Sequence, residues 1–215
     1  EIKNPLTPIQ LTIDKLKSKY SEKVADHEKE DFSKSLLIIG KQIKQIENLV
    51  NEFSDFARMP KPILKDNNLV TLIKDNIKLI NELDDKIIID FKSGKADIFL
   101  DSDNEQLSRV FFNLLKNSIE SIQDKKINNV NLIGKINISI NDNAEMINFI
   151  IIDNGLGFGV FADNIKDILN PYFTTKKKGT GLGLSIVNKI INDHNGKINF
   201  ISLENGAKIE IIFTK

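Results

Sequence analysis

The sequence has 215 residues, of which 40% are hydrophobic and 28% are charged. A chain of this length and composition can bury a sizeable core, which excludes a disordered or fibrous protein and allows one large or two small domains. The 30 basic and 30 acidic residues cancel and cysteine is absent, so we expect no nucleic-acid partner, no disulfides and no thiolate metal site.

Targeting signals are missing from the sequence. No apolar run reaches the roughly 18 residues of a membrane span, and the chain opens on EIKNP without a methionine or a signal peptide. We therefore expect the cytoplasmic portion of a longer protein, whose missing N-terminal part would anchor it in the inner membrane.

The first part of the chain predicts two helices, because its apolar residues alternate between spacings of three and four. One series runs from Ile2 to Tyr20 and the other from Phe32 to Ala57, with a charged connection between them. Two long apolar seams need more cover than one hairpin supplies, so we predict that residues 1–57 dimerise into a four-helix bundle. A monomeric hairpin packed on the rest of the chain is the alternative.

The segment RMPKPILK ends the heptads and predicts a linker over residues 58–65. Beyond it, helical and strand periods mix over residues 66–215, which predicts an α+β fold with helices on one face of a sheet. Helices are predicted over 68–82 and about 104–122, the second opened by the capping spacing of Asp103 and Gln106. Strands are predicted over 86–92, 97–100, 136–140, 146–152, 199–203 and 207–213, with a polar loop at 123–134.

The second of these helices carries a polar stripe. Its members fall at i, i+3, i+4 and i+7 and are Asn113, Lys116, Asn117 and Glu120. Asparagine is a poor helix former, and its amide oxygen can ligate a hard cation such as Mg²⁺ together with substrate phosphates. The alternative is the ordinary solvated face of an amphipathic helix.

A DNGLG turn, residues 153–157, follows the predicted strand that ends at Ile152. A carboxylate at Asp153 could accept a hydrogen bond from the exocyclic amine of adenine, while Gly155 and Gly157 would let a flat base approach the backbone. The alternative is an ordinary turn, since aspartate, asparagine and glycine all favour turns.

Residues 158–178 are long enough to form a lid, in which a short amphipathic piece over 164–169 interrupts the loop. The lid contains NPYFTTKKK, whose threonines and first lysine could meet phosphate oxygens, although a solvated charge run is the alternative. The next segment, GTGLGLSIV, places glycines at 179, 181 and 183 at the start of a helix. Bare backbone N–H groups at a helix N-terminus bind phosphate, and the spacing matches neither a dinucleotide-binding fingerprint nor a P-loop.

Taken in this order, the Asn-Asn helix, the DNGLG turn, YFTTK and GTGLGL resemble the N, G1, F and G2 boxes of histidine-kinase ATP-binding domains. EIKNPLTPIQL resembles the H-box of such kinases just after the phosphoacceptor histidine. With FARMPKP at the linker, the chain is most similar to nitrogen-regulation sensor kinases of the NtrY type. The resemblance implies a helical hairpin followed by a two-layer α/β sandwich of the Bergerat or GHKL type.

The resemblance also implies a site for ATP and Mg²⁺. The residues implied to bind the nucleotide are Asn113, Lys116, Asn117, Asp153, Gly155, Gly157, Thr174, Thr175, Lys176, Gly179, Thr180, Gly181, Leu182, Gly183 and Leu184. Asn117 would hold the metal. Glu1 would act as general base on a histidine that precedes it, and Asn4 would orient water for dephosphorylation of a partner. The alternatives are an exposed Glu1 and an Asn4 that caps the helix.

The implied partners are a second copy of the chain and the receiver domain of a response regulator. The sequence contains 2 histidines, His27 and His194, and we assign neither as the phosphoacceptor. We therefore expect this chain to bind ATP without autophosphorylation. The rival functions are a GHKL-type ATPase, which transfers the phosphoryl group to water, and a non-catalytic dimerising scaffold.

Overall fold

The computed structural model describes residues 3–83, 86–158, 167–174, 176 and 179–214. The chain divides into two compact units. The first unit comprises residues 1–59 with 176–180, and the second comprises residues 60–175 with 181–215.

The first unit contains both predicted helices. Helix α1 spans Lys3–Tyr20 and helix α2 spans Lys29–Ala57. Ile13, Leu36 and Ile43 form a small buried cluster, against which Leu6 and Phe32 pack. One half of the predicted apolar seam is therefore buried where the two helices meet.

The other half of the seam remains exposed on both helices. On α2, Ile39, Ile46 and Phe53 follow one another at spacings of seven and are 45%, 44% and 42% exposed. On α1, Ile9 and Leu16 have the same spacing and are 45% and 38% exposed. Each helix thus has a second apolar stripe at heptad spacing, the pattern of helices that pack in a bundle.

The second unit is built of strands and helices whose bounds are β1 Lys65–Asn68, α3 Leu69–Leu83, β2 Ile88–Ser93, β3 Phe99–Ser102, α4 Asn104–Asn128, β4 Lys135–Asp142, β5 Met146–Asp153, α5 Gly183–Asp193, β6 Gly196–Leu203 and β7 Gly206–Thr214. Five strands form one sheet in the order β2-β4-β5-β7-β6, and β1 pairs with β3 in a separate ribbon. Within the larger sheet β2 and β4 are parallel, and the other pairs are antiparallel.

One face of the larger sheet is buried against helices. Alternate residues of β4 and β5 are buried, among them Ile138 and Phe149, while the residues between them are partly exposed. The ring of Phe111 on α4 lies 4.8 Å from the ring of Phe149, centroid to centroid. Alternation of this kind is what a strand with one covered face requires. The predicted α+β architecture, with helices on one side of a sheet, is confirmed.

Helix α4 begins at Asn104 as predicted but ends later than predicted. It continues to Asn128 instead of ending near Ile122, so the first residues of the predicted polar loop are helical. At its start, the Asp103 carboxylate caps the helix by accepting from the N–H groups of Glu105 and Gln106. The Gln106 side chain does not return the bond; its amide donates instead to the Pro60 carbonyl, 3.1 Å away. The capping box is therefore only half formed.

Strand β1 was absent from the prediction, because KDNN is poor in strand-forming residues. The strand forms by pairing with β3, and the Asn67 amide adds a hydrogen bond to the Ser102 carbonyl at 2.6 Å. Residues 164–166 of the predicted amphipathic piece at 164–169 lie outside the described residues, and residues 167–169 form one turn of 3₁₀-helix. Among the residues described, no helix combines the length and the apolar character needed to cross a membrane.

Candidate functional site

Helix α4 presents the polar stripe that the sequence predicts. Asn113, Asn117 and Glu120 are half-buried and Lys116 is exposed. The Lys116 ammonium lies 4.0 Å from a Glu120 carboxylate oxygen, so these two side chains form a loose ion pair. The opposite face, with Leu107, Phe111, Leu114 and Ile122, is buried as expected.

Asp153 is the last residue of β5, and its side chain is directed onto α4. It is only 4% exposed. One carboxylate oxygen accepts from the Gly155 N–H at 2.9 Å, and the other accepts from the Ser118 hydroxyl at 3.0 Å. Each oxygen has two lone pairs, so both retain capacity to accept a further donor.

The electrostatics of Asp153 are dominated by burial. Burial raises the pKa of the Asp153 carboxyl above its ordinary value. Hydrogen bonds from Gly155, Ser118 and the Ala207 backbone, together with the positive charge of Lys125, lower this pKa but do not cancel the effect of burial. The site therefore contains a desolvated hydrogen-bond acceptor whose charge is sustained by donors on several elements.

The turn after Asp153 is fastened to the C-terminal half of α4. The Lys125 ammonium donates to the carbonyls of Asn154 and Gly155 at 3.0 and 2.9 Å. The Leu156 N–H donates to the Ser121 hydroxyl at 2.9 Å. A Cβ at Gly155 would lie 2.8 Å from the Ser121 backbone carbon, so glycine is required there by the close approach of the turn to the helix.

Two further glycines hold the turn against the hairpin of β6 and β7. Gly157 has φ +71°, and a Cβ on it would lie 2.5 Å from the Gly206 carbonyl oxygen. Gly206 has φ +112°, and its Cβ would overlap the Asp153 carbonyl. These conformations are strained for any other residue. Residues 153–157 are thus enclosed by α4 on one side and the start of β7 on the other.

The start of α5 differs from these tight contacts. Among the described residues no side chain caps this helix, and its N-cap is Leu182. Within the part of the chain that the structure describes, a Cβ at Gly183 would meet nothing nearer than the Asn113 side-chain oxygen at 3.9 Å, and Gly183 has no positive φ. Neither packing nor backbone conformation therefore requires glycine at this position. A bare helix N-terminus next to Asn113 is a chemically suitable place for an anionic group.

Helix α4 connects these features. Ser118 contacts Asp153, and Asn113 lies near Gly183. Ser118 comes five residues after Asn113, which corresponds to about 7.5 Å along the helix axis. The Asp153 carboxylate and the open start of α5 thus both lie against α4, and Asn117 falls between Asn113 and Ser118 in the sequence of that helix. Asp153 and Gly183 therefore both lie against α4, the helix that carries Asn113 and Asn117.

The other predicted residues are distributed differently. The Gly181 carbonyl oxygen accepts a hydrogen bond from the Tyr172 N–H at 3.1 Å, and Gly181 has φ +72°. Thr174 is exposed. Lys176, Gly179 and Thr180 belong to the first unit, where the Thr180 hydroxyl hydrogen-bonds the Glu52 carboxylate. Leu182 is buried and Leu184 is half-buried in α5.

The structure gives little geometry for the residues that are predicted to take part in phosphotransfer. Glu1 and Thr175 lie outside the described residues, and the Asn4 side chain does too, although Asn4 is part of α1. No group of three or more His, Asp or Glu side chains that could hold a metal occurs in the described part of the chain. A metal ion bound by this unit would depend on amide oxygens such as those of Asn113 and Asn117, which are ligands that Mg²⁺ accepts.

The two histidines have different surroundings. His194, 6% exposed, uses both ring nitrogens: Nε2 accepts from the Asp103 N–H at 2.9 Å and Nδ1 lies 2.8 Å from the Ile190 carbonyl oxygen. His194 thus fastens the end of α5 to the start of α4, which is a structural role. His27 is exposed in the connection between α1 and α2.

Sequence reasoning missed Ser118, Ser121, Lys125 and Gly206. The first three follow one another at i, i+3 and i+7, so they form a second polar stripe on α4 that the same periodicity analysis could have found. Gly206 falls between two predicted strands, and nothing in the local sequence shows which backbone it approaches.

Known protein families match both parts of the chain. Residues 102–215 match the family described as histidine kinase-, DNA gyrase B- and HSP90-like ATPase, and residues 1–62 match the His Kinase A (phospho-acceptor) domain. A putative sensor histidine kinase NtrY-like protein of Rickettsia felis is 37% identical over 99% of this chain and 34% of its own length. The nitrogen regulation protein NtrY of Azorhizobium caulinodans is 38% identical over 92% of this chain and 25% of its own length.

Among solved structures, the histidine kinase ThkA in complex with the response regulator protein TrrA has a TM-score of 0.69 and 26% identity, covering 100% of this chain and 59% of that one. The chain spans about a third of the length of its Rickettsia felis relative, 34%. Both domain matches and the NtrY-like relatives agree with the helices and the sheet described above. The chain therefore belongs to the sensor histidine kinase family and comprises its kinase core, a His Kinase A domain followed by a histidine kinase-type ATPase domain.

Proposed function

We propose that the second unit binds Mg²⁺-ATP and supplies the γ-phosphoryl group to a histidine preceding Glu1, from which an aspartate of a response regulator receives it. The observation that supports this most strongly is the buried Asp153 carboxylate, held on the same helix that carries Asn113 and Asn117. An acceptor of this kind suits the amino group of adenine and repels the carbonyl oxygen that guanine has at the same ring position.

In this proposal Asp153 accepts from the adenine amine, and the turn that contains Gly155 and Gly157 lines the base. Asn117, with Asn113 beside it, offers amide oxygens to Mg²⁺, which when bound neutralises charge on the transferred phosphoryl group. The N–H groups at the start of α5 face the phosphates from the bare backbone at Gly183. Phosphate contacts from Lys116, Thr174, Thr175, Lys176, Gly179 and Thr180 stay predictions, as do the roles of Glu1 and Asn4.

Two partners follow from the same proposal. The exposed heptad stripes of α1 and α2 support a homodimer through residues 1–57, because they offer a self-complementary apolar surface. The ThkA structure contains a response regulator, which supports a receiver domain as the acceptor of the phosphoryl group. The membrane would be reached only through a part of the protein outside this chain.

A specific feature of α4 disfavours the ATPase alternative. Hydrolysis by water needs a carboxylate base near the first asparagine of the stripe, and that position is Asn113. Glu120 lies two turns further along α4 and its carboxylate is 4.0 Å from the Lys116 ammonium. The scaffold alternative is disfavoured by Gly183, since a scaffold gains nothing from a glycine that weakens a helix start.

The decisive experiment is to extend the chain by a short helical lead ending in a histidine before Glu1, and to add γ-labelled ATP with Mg²⁺. We expect label on that histidine, stable to base and lost in acid, and none in the same extended chain carrying Asp153→Asn. Steady phosphate release without labelled protein would instead favour the ATPase, and neither label nor release would favour the scaffold.

A further inference from the structure

Ser118 directs its hydroxyl at the carboxylate assigned to adenine recognition. The residue is 2% exposed and lies on α4 directly after Asn117. A serine inside a helix commonly bonds the carbonyl one turn earlier in its own helix. The recorded bond of Ser118 runs instead to Asp153, 3.0 Å away on another element.

Recognition of an amino group is favoured when Asp153 is ionised. A protonated carboxyl carries an O–H of its own and has less accepting capacity, so it matches the donor that adenine presents less well. Burial works against the ionised form, because it raises the pKa of Asp153. The groups that oppose burial are therefore part of the recognition chemistry.

These opposing groups come from each element packed on Asp153. Helix α4 contributes the Ser118 hydroxyl and the positive charge of Lys125. The turn after Asp153 contributes the Gly155 N–H, and β7 contributes the Ala207 backbone N–H. The neighbour on β4 is Ile136, which carries no charge. The two backbone N–H donors do not depend on the identity of a side chain. The Lys125 ammonium donates to the carbonyl oxygens of Asn154 and Gly155 and not to the Asp153 carboxylate. Ser118 is thus the side chain that donates directly to this carboxylate.

We propose that Ser118 is a positioning residue for nucleotide recognition, whose hydroxyl keeps Asp153 ionised and oriented as an acceptor so that adenine binding persists at neutral and mildly acidic pH. This inference rests on the proposed function and adds a determinant of its pH range. Ser118 itself touches no nucleotide in this proposal.

The test compares ADP binding by calorimetry from pH 5 to pH 8 for the chain and for Ser118→Ala. We expect similar affinities at pH 8 and, at pH 6, affinity for the variant lower on the order of tenfold, the size of effect that one hydrogen bond to a charged group accounts for. The phosphate of ADP also titrates in this pH range, but it does so equally with each variant. The ratio of the affinities of two variants therefore reports on ionisation of the protein alone. Ser118→Thr, which keeps the hydroxyl, should restore the profile of the unmodified chain.

Ser108→Ala is the matched control. Ser108 lies on the same helix, and its hydroxyl donates to the Asn76 amide oxygen at 3.2 Å and accepts from the Asn76 amide nitrogen at 3.1 Å. The variant therefore loses side-chain hydrogen bonds on α4 without touching Asp153. The affinity of Ser108→Ala for ADP should depend on pH as that of the unmodified chain does. A purely structural role for Ser118 would weaken binding equally at all pH values, and a profile that keeps its shape in Ser118→Ala would overturn the proposal.

A second readout works without nucleotide. Carboxyl ¹³C NMR of the aspartate-labelled protein, with the Asp153 signal assigned by its loss in Asp153→Asn, follows ionisation directly. Ser118→Ala should shift this titration to higher pH, and an unchanged titration would overturn the inference. If the unmodified chain failed to bind ADP, the proposed function would fall while the NMR titration still decided the role of Ser118.

Discussion

At Asp153 one oxygen of a buried carboxyl accepts from the Gly155 N–H and the other accepts from the Ser118 hydroxyl. Asparagine can keep both contacts, because its amide oxygen accepts from Gly155 and the Ser118 hydroxyl can turn to accept from its NH₂ group. The raised pKa means that the folded chain holds this proton more tightly than the unfolded chain, so ionisation costs stability as pH rises. Replacing the charge should therefore leave the fold intact.

We predict that Asp153→Asn loses ATP binding in calorimetry, since an amide NH₂ would then compete with the adenine amine, while the free energy of unfolding falls by no more than about 1 kcal/mol. Asp90→Asn is the control, because Asp90 lies on the edge strand β2 and its partner is the Lys135 ammonium at 3.6 Å. Undiminished affinity in Asp153→Asn would remove the adenine assignment.

Gly183 makes the opposite prediction for stability. A Cβ there has room, and alanine is the better helix former, so Gly183→Ala should raise the free energy of unfolding by up to about 0.5–1 kcal/mol. The same methyl group would keep phosphate away from the N–H groups at the start of α5, and affinity for ATP should fall roughly tenfold or more.

Gly40→Ala is the matched control for Gly183→Ala. Gly40 lies within α2, and its added Cβ meets nothing within 4 Å. It should gain stability by a similar mechanism without any change in nucleotide affinity. A Gly183→Ala protein that is more stable and binds ATP normally would contradict the phosphate role of this helix start.

At the scale of the element, the N-terminus of α4 depends on Asp103. Its carboxylate accepts from the N–H groups of Glu105, Gln106 and Ile63, and although burial opposes ionisation, these bonds lower the pKa of Asp103. A lowered pKa in the folded state stabilises the protein above the ordinary pKa of aspartate, and this contribution is lost as pH falls through the folded value.

We predict that Asp103→Ala lowers the free energy of unfolding at pH 7 by about 1–2 kcal/mol, the usual effect of a lost cap. Chemical denaturation should show the difference from the unmodified chain shrinking in acid, below about pH 4. Asp101→Ala, at an exposed residue of β3, is the control and should have little effect. A difference that stays constant into strong acid would mean that the carboxylate charge contributes nothing to the cap.

At the scale of the whole molecule, the exposed stripe of Ile39, Ile46 and Phe53 on α2 predicts self-association. We expect the chain to sediment as a dimer. In Ile46→Glu each dimer would bury two unpaired carboxylates, so the dissociation constant should rise at least about 100-fold. Lys41→Glu places the same charge at an exposed position of α2 and should stay dimeric. Dimers that resist Ile46→Glu would exclude this stripe from the interface.

Much of the architecture could be predicted from local pattern. A helical period within a few residues indicates the apolar seams of α1 and α2, and a strand period indicates the alternation in β4 and β5. A local turn preference indicates the glycine between β6 and β7. The sequence could not indicate β1, because KDNN forms a strand through its pairing with β3 and not through its own preference. It also placed the end of α4 too early, since Lys125 is held by carbonyls that come 29 and 30 residues later.

For the candidate site, the sequence by itself determined the residue types. The amides of α4, the carboxylate after β5 and the glycines before α5 are readable because each suits a chemistry at a recognisable spacing. Only the tertiary structure decided which of these residues meet along α4. It also decided that close backbone packing requires glycine at Gly155, Gly157 and Gly206 but does not require it at Gly183. The physical reason is that hydrogen bonds such as that of Ser118 to Asp153 join residues 35 positions apart, and no local period encodes a contact between separate elements.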